Sequence, residues 1–229
     1  MLLLAVGNPN VFTYFQHSNL AGKVIVLFLI VFSLLAWTVM IGKYIEINRL
    51  KRLNRFLEKR LGSVDSILHI EKKLWQSASG PYAELMRTAV EAFCRAESQS
   101  TTTAARIGHV ENALQRGVAE VTIQYESKMV LLGSIVTGAP FLGLLGTVWG
   151  VMDAFGAVAL KSTASIQMLA PGVSGALLTT VAGLLVAIPS VFGYNFLLTQ
   201  TKIAITEIEN YASSLADQIE IEAFELKPG

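Results

Sequence analysis

The sequence is poor in charge, in histidine and in cysteine. Asp, Glu, Lys and Arg make up 15% of its 229 residues, against roughly a quarter in an ordinary soluble domain. Eighteen basic residues against seventeen acidic ones leave a net charge of +1, so no global field would draw a nucleic acid to the chain. The single cysteine, Cys94, forms no internal disulfide. His17, His69 and His109 have neither HxxxH nor CxxC company, which leaves no metal centre to build. No GxxxxGK[ST] loop, no GxSxG elbow and no carboxylate pair in a pocket-forming context is present. Nucleotide-driven, hydrolytic and cofactor-dependent functions have no foothold, and neither an enzyme nor a cofactor is expected.

What is abundant is apolar surface: 52% of residues are hydrophobic and the mean hydropathy is +0.51. Three runs are long enough to cross a bilayer of roughly 30 Å hydrocarbon thickness. Val24 to Ile41 is free of charge, as are Met129 to Met152 and Ala170 to Leu198. Lys43, Arg49, Lys51, Arg52, Arg55, Lys59 and Arg60 follow the first run, whereas only Lys23 precedes it. The positive-inside tendency therefore sets the N-terminus outside and, after three crossings, the C-terminus in the cytoplasm. A cleaved signal peptide is the competing reading of the first run; the basic residues lie on the wrong side of it for that.

The expected class is an all-α membrane protein with three transmembrane helices and long cytoplasmic helical extensions. An outer segment (1–20) leads to helix one (21–42), a cytoplasmic helical region (43–128), helix two (129–155), an outer loop (156–169), helix three (170–198) and a cytoplasmic C-terminal helix (199–229). Ile107, Val110, Leu114, Val118, Val121 and Tyr125 recur at helical spacing and lead into Met129 without a breaker. One helix from Ala104 to Phe155 would measure about 78 Å. Ile205, Ile208, Ala212, Leu215, Ile219 and Glu222 form a second stripe. The acids of that tail, Glu207, Glu209, Asp217, Glu220 and Glu225, are set against the basic run after helix one as faces of one bundle. SASGP (77–81) and ESQSTTT (97–103) divide the region between.

Two features of the spans bear on function. The first is a wealth of small and kinking residues. Gly146 and Gly150 make a GxxxG step, Gly175, Thr179 and Gly183 recur at spacing four, and Pro171 and Pro189 add kinks. Such residues let backbones approach in lipid; one reading is simple glycine frequency in membrane helices, the other is packing against neighbouring subunits or a partner helix. The second feature is an absence: no Asp, Glu, Lys, Arg or His lies within the second or third run. A proton carrier ordinarily holds such a group in mid-membrane. Hydroxyls of Thr147 and Thr180, at similar depth, can line a water file but exchange no full charge near neutral pH. Bonding back to the helix is their other expected fate. Either no ions move, or a partner supplies the titrating group.

PFLGLLGTVWGVMDAF (Pro140 to Phe155) and IQMLAPGVSGALLTTVAGLLVAIPSVFGYN (Ile166 to Asn195) closely resemble the signature of the TolQ/ExbB/MotA proton-channel family. The wording QMxAPG, the length and the short outer N-terminus are most similar to the TolQ branch. The resemblance implies an inner-membrane stator subunit of a motor driven by the proton-motive force. Such subunits form homo-oligomeric rings, usually pentamers, around TolR/ExbD-like single-span partners that carry a membrane Asp, and energise a TolA-like or TonB-like client. It implies that Thr147 and Thr180 are the pore-facing threonines. Gly175 departs from the family's PGIAEAL pattern, which has glutamate there. Asp153 is then expected either to stand in as an outer-mouth charge or to be a solvated loop-end residue. The alternatives in function are an ExbB-type subunit powering TonB-dependent uptake, and a non-conducting scaffold. A permease half of an ATPase-driven importer is disfavoured by the long helices.

Overall fold

The computed structural model describes residues 11–61, 66–68, 79–98, 102–159 and 166–225. His69 and the centre of the expected outer loop lie outside these. Every regular element among the described residues is helical: α1 Val11–His17, α2 Leu20–Leu61, α3 Pro81–Ser98, α4 Thr103–Glu126, α5 Met129–Ala159 and α6 Ile166–Glu225. The all-α class holds, and three helices are long and apolar enough to cross a membrane. α5 ends at Ala159 and α6 begins at Ile166, each four residues beyond the bounds expected for helices two and three, 155 and 170. α1 was not anticipated in the outer segment.

The expectation of one unbroken helix from Ala104 to Phe155 is corrected. α4 stops at Glu126, and Ser127 turns its backbone N–H on the carbonyls of Ile123 and Gln124 and donates its hydroxyl to Gln124 O at 2.6 Å. Lys128 then adopts φ 66° before α5 begins. A serine that recaptures the last carbonyls competes with the helical ladder, and hydropathy periodicity carries no sign of it.

The chain forms two compact units. The membrane unit comprises described residues 11–41, 128–159 and 166–196, and the polar unit residues 42–61, 66–68, 79–98, 102–127 and 197–225. In the membrane unit Leu29, Ala36, Leu132, Ile135, Ala139 and Ala176 are buried between helices. Phe28, Leu34, Phe141, Val148, Leu185 and Phe192 point outward, an apolar exterior far beyond what a water-facing monomer shows. Three hydroxyls on this unit close on their own helices, which suits lipid: Thr38 donates to Leu34 O, Ser134 to Val130 O and Ser190 to Val186 O.

In the polar unit the two predicted stripes form the core. Ile107, Val110, Leu114, Val121 and Tyr125 are buried, as are Ile208, Ala212, Leu215 and Ile219. Glu222 extends the second stripe as a buried carboxylate that accepts from Ser66 Oγ (3.0 Å) and from the amides of Ile67 (2.7 Å) and Leu68 (2.9 Å). α3 opens with Pro81 after Gly80, whose φ of 114° only glycine adopts readily. Thr102 caps α4 by accepting from Ala105 N. Both charged faces belong to this unit; among the described residues Arg52, Arg55 and Lys59 form no ion pair, and the Lys51 ammonium donates to Gln200 Oε1 at 3.0 Å. One basic side chain is buried. Lys43 donates to Glu46 Oε1 (3.2 Å) and Gln124 O (3.3 Å) and lies 5.6 Å from the Tyr125 ring centroid.

Candidate functional site

The two small-residue stripes meet each other rather than awaiting another subunit. A Cβ on Gly143 would lie 2.8 Å from Thr179 O and 3.1 Å from Thr180 Cα. One on Gly146 would lie 2.5 Å from Thr179 Oγ1, one on Gly150 2.6 Å from Ala176 Cβ, and one on Gly183 2.7 Å from Ala139 O. Contacts this close are available only to glycine, so α5 and α6 touch backbone to backbone along three turns. The reading that assigned these stripes to neighbouring subunits is thus corrected for Gly146, Gly150 and Gly183. A hydroxyl or a carbonyl at such a seam is within reach of its opposite number.

Three threonines exploit that proximity. Thr147 Oγ1 and Thr180 Oγ1 are hydrogen-bonded to each other across the seam. Thr147 also has Gly143 O and Ala176 O at 3.2 Å and Thr179 Oγ1 at 3.4 Å. Thr180 has Gly143 O at 3.2 Å. Thr179 is fully buried and donates to Ala176 O (2.6 Å) or Gly143 O (2.9 Å). All three hydroxyls therefore converge on one carbonyl, Gly143 O. Each has one proton and several acceptors, so any one can change acceptor without leaving a bond unmade. Thr147 and Thr180 keep part of their surface open whereas Thr179 keeps none. Thr179 was read from the sequence only as a member of the small-residue stripe; the signal for its role was its position between Gly175 and Gly183 on the face that meets α5.

Gly175 takes another place. A Cβ there would meet Ser18 Cα at 2.9 Å, Ser18 N at 3.0 Å and Tyr14 O at 3.2 Å. The backbone at the end of α1 thus occupies the space that a side chain at 175 would need. Beside it Asn19 Nδ2 donates to Asp153 Oδ2 at 2.5 Å, and Asp153 is exposed. Asn19 had no mark in the sequence beyond its polarity. Pro171 and Pro189 both lie inside α6, Pro171 exposed and Pro189 half-buried. Among the described residues no group of three His, Cys, Asp or Glu is arranged to hold a metal.

The profile of the MotA/TolQ/ExbB proton channel family matches residues 80–210, which takes in all of α3, α4 and α5 and the hydroxyl seam. The chain belongs to this family. Relatives in it include a protein named "Biopolymer transport protein ExbB" from Xanthomonas campestris pv. campestris, 30% identical over 204 residues that cover 85% of this chain and 79% of the relative. Another is a "Tol-Pal system protein TolQ" from Haemophilus influenzae, 26% identical over 223 residues, 96% of this chain and 97% of the relative. The TolQ of Pseudomonas aeruginosa is 24% identical over 214 residues. With three candidate spans, membership in this family fits a protein of the inner membrane, and the family's transport subunits are the company in which the seam is to be understood.

Proposed function

We propose that the chain is a stator subunit of a motor driven by the proton-motive force in the bacterial inner membrane, not an enzyme. Its N-terminus is periplasmic and its C-terminus cytoplasmic. It assembles as a homo-oligomeric ring, a pentamer by resemblance to its family, around a TolR/ExbD-like single-span partner. The observation that carries this reading is the pairing of Thr147 with Thr180 on a seam between two apolar runs, Met129 to Met152 and Ala170 to Leu198, that hold no Asp, Glu, Lys, Arg or His. A hydroxyl pair with spare acceptors can donate to a carboxylate, or accept from water, and return to Gly143 O afterwards. It cannot hold a proton between the two aqueous phases. The partner's membrane carboxylate takes up that proton, and Thr147 and Thr180 bind water or the carboxylate as it passes. Asp153, tethered by Asn19, is an outer-mouth charge where the family's glutamate is absent.

The Tol-Pal role, with a TolA-like client, is favoured over an ExbB role with a TonB-like client. Its support is the near full-length correspondence with TolQ of Haemophilus influenzae. A second reading, a non-conducting scaffold, is supported by the fact that every seam hydroxyl has a backbone acceptor within the chain. Co-reconstitution with a TolR/ExbD-like single-span protein separates the two. Proton flux into liposomes that disappears in Thr147→Val supports the stator; no flux with an assembled complex supports the scaffold.

A further inference from the structure

The polar unit carries two unsatisfied surfaces of opposite charge. Between α4 and α6 lies a groove of about 490 Å³ whose floor includes Leu114, Ala212 and Ala216 and whose rim carries Glu111, Glu209 and Asp217. None of the described residues that line it is basic. On α2, Ile45, Arg49, Arg52, Phe56 and Lys59 follow one another at steps of four and three, all exposed. That spacing lays them along one stripe of the helix. Phe56 is 57% exposed, a large apolar ring with arginine and lysine on either side.

The stripe cannot fill the groove of its own chain. α2 shares with α6 a different pocket, in which Glu58 and Leu61 lie beside Tyr211, Ser214, Leu215 and Gln218. At about 3.6 residues per turn these α6 residues face opposite to Glu209, Ala212, Ser213, Ala216 and Asp217. The groove therefore opens on the far side of α6 from α2, while the stripe is on the outer side of α2. The same shared pocket sets Phe56 and Lys59 at about the height of Glu209 and Ala212 along the helices. We infer that the occupant of the acidic groove is the Phe56–Lys59 turn of a second copy of this chain. Phe56 seats on the Leu114–Ala212–Ala216 floor, and Arg52, Arg55 and Lys59 meet Glu111, Glu209 and Asp217.

The symmetry follows from the membrane. Every copy inserts in the same direction, so the copies of a closed ring are related by an axis along the bilayer normal. Groove and stripe are distinct patches on one body, which makes the contact head-to-tail and able to close into a ring. An aromatic anchor with flanking cations over an apolar, acid-rimmed floor is the composition of an interface centre. The inference deepens the proposed homo-oligomer and rests on that reading for its biological setting.

The test uses the full chain in membranes with Cys94→Ser as background and Lys59→Cys combined with Ser213→Cys. Mild oxidation is expected to give a ladder of covalent multimers from the double variant and none from either single variant. Adding Phe56→Ala should lower the ladder yield by about tenfold, the effect of losing a central anchor, whereas Phe56→Leu should retain most of it. A ladder unaffected by Phe56→Ala overturns the inference, as does its absence, or capture of a different polypeptide at Ser213. Native mass measurement separates the two proposals. Intact oligomers without a ladder reject this interface and leave the stator reading standing. A ladder without partner-dependent proton flux keeps the interface and rejects the stator.

Discussion

Thr147 on α5 and Thr180 on α6, 33 residues apart in sequence, share a hydrogen bond across a seam held close by Gly143, Gly146, Gly150 and Gly183. The pairing makes the two hydroxyls a unit: neither can reorient without offering the other a new partner. Thr147→Val and Thr180→Val, which keep shape and remove the hydroxyl, should each abolish partner-dependent proton flux while leaving the assembled complex at normal yield. Ser at either position should restore much of it. Normal flux in both valine variants would remove the assigned roles.

Thr179 should behave differently, because its hydroxyl is sealed in the seam. Thr179→Val removes its bonds to Ala176 O and Gly143 O and is expected to lower stability by about 1–2 kcal/mol. The melting of the detergent-solubilised complex checks this.

The seam itself is testable by adding single methyl groups. Gly143→Ala and Gly183→Ala press a Cβ against backbone atoms at 2.8 and 2.7 Å, which should cost about 1–3 kcal/mol as overpacking. Gly138→Ala meets nothing within 4 Å and should be neutral or mildly stabilising. Membrane-inserted yield and thermal midpoint, compared across the three, give the ranking.

At the outer end, Gly175→Glu supplies the residue that the family pattern has but collides with the Tyr14–Ser18 backbone. It should displace α1, seen as faster proteolysis or labelling of a cysteine placed in α1. Asp153→Asn should reduce partner-dependent flux at low driving force; unchanged flux would make Asp153 a bystander.

The polar unit should be sensitive to alkali. Burial, aided by Glu58 and Glu207, pushes the Tyr82 phenol from 10.0 up to about 12. Burial, with Glu207, Tyr82 and Glu46, does the same for Tyr125. Burial also raises Tyr211, which stacks on Tyr82 with centroids 3.9 Å apart. Below pH 10 the folded and unfolded chains both hold these protons and stability is constant. Between 10 and about 12 the unfolded chain releases protons that the folded one keeps, so stability falls as pH rises. Tyr125→Phe should flatten that fall without loss at neutral pH. Tyr82→Phe should also give up the bond to Glu207 O, about 1 kcal/mol. Unfolding midpoints against pH provide the check.

Much of this architecture was legible in the chain itself, for definable reasons. Length and absence of charge mark the spans, because hydrocarbon tolerates little else, and the stripes through Val110 and Ile208 mark the polar core. Glycine spacing marked which faces approach but not which partner they approach, since Gly146 would read identically at an intramolecular or a subunit seam. The break at Lys128 was hidden because one serine's local hydrogen bonds decide it. The acids of α6 and the cations of α2 are legible as charges, but which side of α6 faces α2 depends on helix rotation, which the spacing alone does not give. The equal depth of Thr147 and Thr180 could be counted out along the helices; the buried Thr179 and the tether from Asn19 to Asp153 depend on rotation and chain path, which no residue count supplies.

The most direct measurement is proton movement into liposomes holding the purified chain, with and without the proposed TolR/ExbD-like single-span partner, under an imposed potential. The runs Met129 to Met152 and Ala170 to Leu198 hold no Asp, Glu, Lys, Arg or His, so the chain alone should pass no more than protein-free liposomes and the complex should conduct. A sustained proton current from the homomer alone would contradict the account.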